Sequence, residues 1–326
     1  MKFPRRRFLQ LTAGALALPA LPRLAQAQSY PARPVRVIVP FAPGGPTDVF
    51  ARLMAQKLSE KLATQFYVEN IGGAGGNIGT VRAAGAAPDG YTLLVTGANL
   101  VVNPILYNQV AYDPLKDFEA VTIAVTAAVV LTVNPSLPVA TVKDLVALVK
   151  ASPGKYSYAS PGTGTPPHLV GELFRLSLGL DLVHVPFNGG GLAIGSAVAG
   201  HTPISFGSMA PAVPLVQEGK LRALAVTGRS RSPALPEVAT MAEAGYPEIK
   251  GESWFAVVVP ARTANNIIAL LNHEIVGAIA LPDMKERLAT LGYAPVGNTP
   301  GECAAQFRAD MAQWGNVIRA AGIKAQ

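Results

Sequence analysis

Short runs of consecutive apolar residues alternate along the chain with longer segments in which apolar residues recur every three or four positions. The short runs predict strands buried on both faces, and the longer pattern predicts amphipathic helices. Strands that alternate with helices in this way predict an α/β fold with largely parallel sheets. The apolar runs include VRVIV (35–39), FYVEN (66–70), YTLLVTG (91–97), VVLTVN (129–134) and YSYAS (156–160).

Several helix starts are marked in the sequence. The first predicted helix, Val49 to Leu62, carries its apolar residues on one stripe and polar residues opposite. Just before it, Pro46 suits a first helical position and Gly45 suits its cap. TVKD at 141–144 and TPGE at 299–302 have the pattern of capping boxes, and the second opens an amphipathic C-terminal helix. All of these segments are predicted to be structural.

The first 27 residues have the pattern of an export signal. The start is basic, the stretch 9–21 is apolar, and AQA at 25–27 matches a cleavage site. RRRFLQ at 5–10 favours a twin-arginine signal, with an ordinary secretory signal as the alternative. The apolar stretch is shorter than the ~20 residues that a membrane-spanning helix needs. We therefore expect export, cleavage after residue 27 and a soluble periplasmic protein.

Charge and cysteine content bear on the class of function. The chain has 27 lysines and arginines against 20 aspartates and glutamates, but five of the basic residues belong to the predicted signal. The remaining chain is nearly neutral and has no basic cluster beyond Arg229 and Arg231, so it is not expected to bind nucleic acid. The single cysteine, Cys303, allows no internal disulfide and is predicted to be a core residue. The four histidines lack metal-ligand spacing, so neither a metal nor a cofactor is predicted.

A loop pattern that occurs four times in the chain supplies the candidate site. The loop PFAPGGPTD (40–48) joins a predicted strand to a predicted helix, and its glycines let a ligand approach the backbone closely. The N–H groups and the dipole at the helix start favour an anion. Similar loops follow at 160–165, 185–194 and 205–211. One such loop is usually only a tight connection, but four in one chain predict a binding cleft.

The candidate ligand-binding residues come from these loops and from neighbouring positions. Residues 41–48 and 160–165 include no arginine or lysine. An anion there would therefore have to be bound by N–H groups, hydroxyls and ordered water. We interpret Asp48 as an acceptor for N–H groups of its own helical turn, with a counter-charge for a ligand amine as the alternative. The candidates are Phe41, Ala42, Pro43, Gly44, Gly45, Thr47, Asp48, Asn99, Ser160, Gly162, Thr163, Gly164, Thr165, His168, Phe187, Asn188, Gly207 and Ser208.

An exported hydrolase is the main alternative to a binding protein. Ser160 would be its nucleophile and His168, on the following helix, its general base. No third residue is indicated to orient the histidine, and the sequence has neither a G-x-S-x-G elbow nor a Walker loop. NIGGAGGNIG (70–79) departs from a dinucleotide-binding loop, since isoleucine stands at the third glycine position. The chain is therefore not expected to be an enzyme.

Five segments, spread over nearly the whole predicted mature chain, carry a family pattern. They are YPARPVRVIVPFAPGGPTDVFAR (30–52), VENIGGAGGNIGT (68–80), PDGYTLLV (88–95), NPILYNQVAYDPLKDFEAVT (103–122) and YASPGTGTPPHLVGELF (158–174). Together they resemble the Bug-type extracytoplasmic solute receptors of tripartite tricarboxylate transporters. The resemblance implies a two-lobed Venus-flytrap periplasmic binding protein, in which each lobe is a mostly parallel sheet flanked by helices and the ligand cleft lies between the lobes.

The resemblance also implies a ligand and a partner. Main-chain groups of residues 41–48 and 160–165, helped by ordered water, would hold a small organic carboxylate, and a membrane permease would receive it. PFNG at 186–189 and GHTP at 200–203 depart from the usual family sequence, so the preferred acid is not implied. A receptor that senses a metabolite for a signalling partner has the same fold and stays an alternative.

The lobes of such a receptor would divide this chain unevenly. If the chain crosses twice between them, lobe 1 comprises residues 28–128 and 252–326 and lobe 2 comprises residues 129–251. A monomer is expected.

Overall fold

Strands and helices alternate along the chain, as the apolar pattern predicts. The computed structural model describes residues 30–107 and 109–324, so the predicted signal segment, residues 1–27, lies outside the described residues. All elements given below belong to the compact unit Arg33–Gln326.

The described strands are β1 (Val35–Val39), β2 (Phe66–Asn70), β3 (Thr92–Thr96), β4 (Phe118–Val133), β5 (Tyr156–Ser160), β6 (Leu182–Pro186), β7 (Ile204–Ser208), β8 (Arg222–Val226), β9 (Glu252–Pro260) and β10 (Ala294–Pro295). The described helices are α1 (Pro46–Leu62), α2 (Asn77–Ala84), α3 (Asn99–Leu106), α4 (Val142–Ala151), α5 (Pro166–Ser177), α6 (Gly190–Val198), α7 (Met209–Gln217), α8 (Asn265–Ile279), α9 (Pro282–Thr290) and α10 (Pro300–Ala321).

The strands form two groups that share the long strand β4. In the first group, β1 pairs in parallel with β2 and β3, and β9 lies antiparallel between β3 and β4. In the second group, β5 pairs in parallel with β6 and β7, and β4 pairs antiparallel with β7 and β8. The resulting order is β2-β1-β3-β9-β4-β7-β5-β6. Each group therefore contains parallel strands that are followed by strand-to-helix loops. The lobe boundaries at 128/129 and 251/252 stay a prediction.

Buried apolar side chains explain why these elements form where they do. Strand β1 is almost wholly buried, as expected for a strand covered by helices on both faces. Phe50, Met54 and Leu58 of α1 are fully buried, which confirms the predicted apolar stripe. Cys303 is buried in the main hydrophobic cluster, as predicted.

The predicted helix starts are confirmed. The capping boxes at Thr141 and Thr299 both form, and α1 begins at Pro46 with Gly45 as its N-cap. Among the described residues, no single helix has the length and apolar character to cross a membrane; α8 and α9 meet that test only as a pair, and they are bent by 74° relative to each other.

Gly171 of α5 and Gly195 of α6 are helical glycines in opposite surroundings, and they give a test of the packing. A Cβ at Gly171 would overlap the ring of the fully buried Tyr158, whereas nothing lies within 4 Å of a Cβ at Gly195. We expect Gly171→Ala to lower the free energy of unfolding by about 1–3 kcal/mol, because a close-packed core must shift. Gly195→Ala should raise it by about 0.5–1 kcal/mol through helix propensity. Urea denaturation measures both, and equal stabilities would contradict the packing.

Candidate ligand-binding site

The first candidate loop, residues 40–45, joins β1 to α1. Gly44 has a φ of +79°, which lies in the left-handed region that favours glycine. Gly45 is the N-cap and has no side chain to accept from the first helical turn. Ala42, Pro43 and Gly44 are exposed, so the backbone of this loop is accessible.

Asp48 in the first turn of α1 is buried and ties the loop together. Its Oδ2 accepts from the Gly44 N–H at 2.8 Å and from Arg52 Nε at 2.9 Å, and its Oδ1 accepts from Asn70 Nδ2 at 2.9 Å. The same Asn70 amide donates to the Phe41 carbonyl at 3.0 Å. Asp48 therefore supports the loop, but through Gly44 before the helix and two side chains rather than through its own helical turn.

The charge of Asp48 is balanced within this network. Burial opposes ionisation, but hydrogen bonds from Arg52, Gly44 and Asn70 outweigh it and hold the pKa of Asp48 below its ordinary value. Arg52 also donates to Asn70 Oδ1 at 2.9 Å. Neither Arg52 nor Asn70 is among the residues predicted from the sequence. The spacing of four residues from Asp48 to Arg52 on one helix is the signal that points to Arg52.

The second candidate loop, between β5 and α5, repeats the construction of the first. Gly164 has a φ of +78°, Thr165 is the N-cap and Pro166 is the first helical residue. The Gly164 N–H donates to His168 Nδ1 at 3.0 Å, and both this bond and the one from Gly44 to Asp48 span four residues. Each loop is thus closed by a side-chain acceptor in the first turn of the helix that follows.

Two hydroxyls of the second loop are occupied by protein partners. Thr165 Oγ1 donates to the Gly162 carbonyl at 2.7 Å, and Ser160 Oγ lies 2.7 Å from His184 Nε2 and accepts from the Gly162 N–H at 3.3 Å. These hydroxyls hold the loop. The N–H groups of Gly162, Gly164 and Thr165 also donate within the chain. The Thr163 N–H is the donor of this turn that has no partner among residues 30–107 and 109–324.

The pairing of Ser160 with His168 that the hydrolase alternative assumes is wrong. The imidazole bonded to Ser160 belongs to His184, because β5 and β6 pair with Tyr158 opposite His184. Ser160 has no exposed surface, so its hydroxyl is not presented to a substrate. The nearby carboxylate of Glu172 accepts from Tyr158 and Arg175.

His168 and His184 are stacked and electrically neutral. Their ring centroids are 3.8 Å apart, with 21° between the ring planes. Burial lowers the pKa of His168 to about 3 and that of His184 to about 4. Because Nδ1 of the neutral His168 accepts from Gly164, the ring proton lies on Nε2.

Other candidates belong to the third and fourth loops, which follow β6 and β7. The Phe187 N–H donates to the Ser160 carbonyl at 3.0 Å and the Gly189 N–H donates to the Pro161 carbonyl at 3.1 Å, so the third loop is tied to the second. Asn188 in that loop is exposed. In the fourth loop, Gly207 and Ser208 end β7, and Ser208 is the N-cap of α7.

Asn99 at the start of α3 carries an unused donor. Its Oδ1 accepts from the Gly97 N–H and from Thr96 Oγ1, both at 3.1 Å. Its Nδ2 is buried and has no hydrogen-bond partner among residues 30–107 and 109–324. A Cβ at Gly76 would lie 2.8 Å from this Nδ2 and 3.3 Å from the Phe41 ring, so Asn99 lies beside the first loop.

Helix α3 places the two main loops at opposite ends of a short span. Asn99 at its start lies near Phe41, and Leu106 at its end lies against Gly164, where an added Cβ would overlap it. The eight residues from Asn99 to Leu106 are separated by seven helical steps, which rise about 10 Å along the helix axis. The structure therefore brings the two loops within the reach of a small molecule.

Asp48→Asn tests the role of the first anchor. An amide offers one acceptor oxygen where three donors converge, so we expect the free energy of unfolding to fall by about 1–3 kcal/mol. Asp283→Asn is the matched control, because Asp283 is an exposed first-turn aspartate of α9, paired with Lys57; it should change stability by at most about 0.5 kcal/mol. Urea denaturation compares the two. Full stability of Asp48→Asn with an exchanged ligand class would instead make Asp48 a ligand contact.

The pH dependence of stability tests the burial of His168. The unfolded chain binds protons near the ordinary histidine pKa of about 6.5, whereas folded His168 does not until about pH 3. Stability should therefore fall as the pH drops from about 6.5 towards 3, by up to about 1.4 kcal/mol per pH unit for one site. His168→Asn should have a shallower slope in this window. Parallel curves for the two proteins would contradict the buried neutral imidazole.

Sequence comparison relates the chain to known receptors. Residues 50–323 match the family model described as Tripartite tricarboxylate transporter family receptor. Protein BugT of Bordetella pertussis (strain Tohama I) is 38% identical over 300 residues, which cover 91% of this chain and 92% of BugT.

Solved structures show the same fold. One described as a periplasmic transporter is 41% identical with a TM-score of 0.78, over 91% of this chain and 99% of that chain. An R. palustris protein with adipate is 32% identical with a TM-score of 0.78, over 90% and 99%. MatC from Rhodopseudomonas palustris with bound malate is 32% identical with a TM-score of 0.74, over 89% and 100%.

These relationships confirm the expected fold class. The chain has the two-lobed α/β fold of periplasmic binding proteins. It belongs to the tripartite tricarboxylate transporter family of receptors, which includes the Bug proteins.

Proposed function

We propose that this chain is a periplasmic receptor that binds a small organic carboxylate and delivers it to the membrane permease of a tripartite tricarboxylate transporter. The observation that carries the proposal is the pair of matched loops, each ending at a helix N-terminus with a glycine held at positive φ. Two relatives of the same fold hold the carboxylates adipate and malate. The export pattern of the first 27 residues supports a periplasmic location.

The chemistry of the loops suits a carboxylate more than a neutral group. The dipoles of α1 and α5 favour negative charge at both helix starts. The first helical N–H groups come from Thr47 and Asp48 in α1 and from His168 in α5, because the prolines before them have none. Asn99 Nδ2 adds a buried donor beside the first loop. Arg52 is engaged with Asp48 and Asn70, so the carboxylate would be held mainly by backbone groups.

The same geometry argues against the hydrolase alternative. Ser160 is buried and its hydroxyl is bonded within the loop, so an incoming ester would not reach it. Transport is proposed rather than sensing for a signalling partner because the family is that of transporter receptors. Cleavage after residue 27 and a monomeric mature chain remain predictions.

Calorimetry with an acid and its neutral derivatives tests the proposed ligand class. Adipate, adipamide and dimethyl adipate, and the same series from malate, are titrated into the purified mature protein. We expect binding of at least one acid and at least about 100-fold weaker binding of its amide and ester, because two charge-assisted hydrogen bonds contribute about 1.5–3 kcal/mol each.

Each other outcome of this titration is informative. Equal affinity for an acid and its amide would refute carboxylate recognition. Turnover of the ester would support the hydrolase alternative. If neither series binds, a thermal-shift screen of other organic acids at rising concentration identifies the ligand, because a ligand that binds the folded state raises its melting temperature.

A further inference from the structure

The stacked imidazoles of His168 and His184 lie behind the second loop and contact it at two points. His168 Nδ1 accepts the Gly164 N–H at 3.0 Å, and His184 Nε2 lies 2.7 Å from Ser160 Oγ. Ser160 is where the loop leaves β5, and Gly164 is where it turns into α5. The pair therefore holds both ends of the glycine-rich turn.

A buried polar cluster fixes the positions of these rings. Tyr158 packs on His184 with ring centroids 4.9 Å apart, and its hydroxyl donates to Glu172 at 2.7 Å. Glu172 in turn accepts from Arg175 Nε at 3.0 Å and Nη2 at 2.7 Å. His168 is only 2% exposed and Glu172 5%, so the His168 ring cannot move without disturbing close packing.

The first loop has an anchor of the same kind. There the Gly44 N–H donates to Asp48, as the Gly164 N–H donates to His168, and both bonds span four residues. The two glycines have nearly the same φ, and a proline is the first helical residue in both places. A carboxylate closes one loop and an imidazole closes the other. His168 thus takes the place that Asp48 has in the first loop.

We propose that His168 and His184 are positioning residues, which hold the turn from Gly162 to Thr165 in the conformation that presents the Thr163 N–H group to the ligand. The inference rests on the proposed carboxylate-binding function and deepens it, since it moves His168 from the ligand-contact set to the support of the loop. Glycine at positive φ allows many backbone conformations, so an unanchored turn is competent for only part of the time. If that fraction falls to about 1–10%, the apparent affinity falls about 10–100-fold.

Asparagine and glutamine separate this role from mere packing. The amide oxygen of asparagine lies near the Nδ1 position of an imidazole, whereas the glutamine amide lies near Nε2. His168→Asn therefore keeps an acceptor for the Gly164 N–H, and His168→Gln does not. For His184 the order is reversed, because Nε2 contacts Ser160: His184→Gln keeps the contact and His184→Asn loses it.

The experiment compares these four variants of the mature protein with wild type. Calorimetry with adipate and malate measures affinity, and hydrogen exchange of the loop peptide without ligand measures how firmly the turn is held. We expect His168→Gln and His184→Asn to bind about 10–100-fold more weakly and to exchange faster in the turn. His168→Asn and His184→Gln should stay within about threefold of wild type in affinity, since their anchors are kept.

The two readouts keep this inference distinct from the proposed function. If wild type binds neither acid, the ligand class is in question, while faster exchange in His168→Gln than in His168→Asn still supports the anchor. Equal exchange in those two variants overturns the positioning role, whether or not acids bind. Equal affinities within both variant pairs, for an acid that wild type binds, overturn it as well.

Discussion

An anion that is held without a free basic side chain needs backbone N–H groups that are already oriented when it arrives. Under the proposed function, this constraint accounts for the two matched loops of the structure. In each, a glycine at positive φ is followed by a cap, a proline and a first-turn side chain that accepts the glycine N–H. The acceptors, Asp48 and His168, are both almost fully buried. The third loop is bonded to the second, and helix α3 runs from beside the first loop to the second.

The electrostatics of the loops agree with such a site. Asp48 would repel an anionic ligand if its charge were free, but Arg52 and Asn70 are bonded to it. His168 and His184 are neutral in the folded chain because burial lowers the pKa of each. A carboxylate would therefore meet helix dipoles and N–H groups rather than a fixed charge. Such a site recognises the group that organic acids share, which fits relatives that hold acids as different as adipate and malate.

Local signals in the sequence predicted much of this, and long-range contacts account for most of the rest. Capping boxes, the proline at the start of α1 and the loops after buried strands depend on neighbouring residues, and they were predicted correctly. The contact of Asn70 with Asp48 depends on the parallel pairing of β1 with β2, and that of His184 with Ser160 on the register of β5 with β6. Strand register cannot be read from one sequence. The Gly-x-Pro spacing before Asp48 and His168 is visible in the sequence. Only the hydrogen bonds of the structure show that both side chains accept the N–H of that glycine.

A crystal structure of the mature protein with adipate or malate, whichever binds, tests whether these backbone loops hold the carboxylate. We expect one carboxylate of the ligand to lie in the cleft, beside main-chain nitrogens of the loops that contain Gly44 and Gly164. Its oxygens should lie about 2.7–3.2 Å from these nitrogens or from one water that bridges to them. We also expect Asp48 and His168 to keep their bonds to those glycines. A carboxylate held chiefly by an arginine or lysine side chain, or one bound away from both loops, would show that the loops are not the binding site.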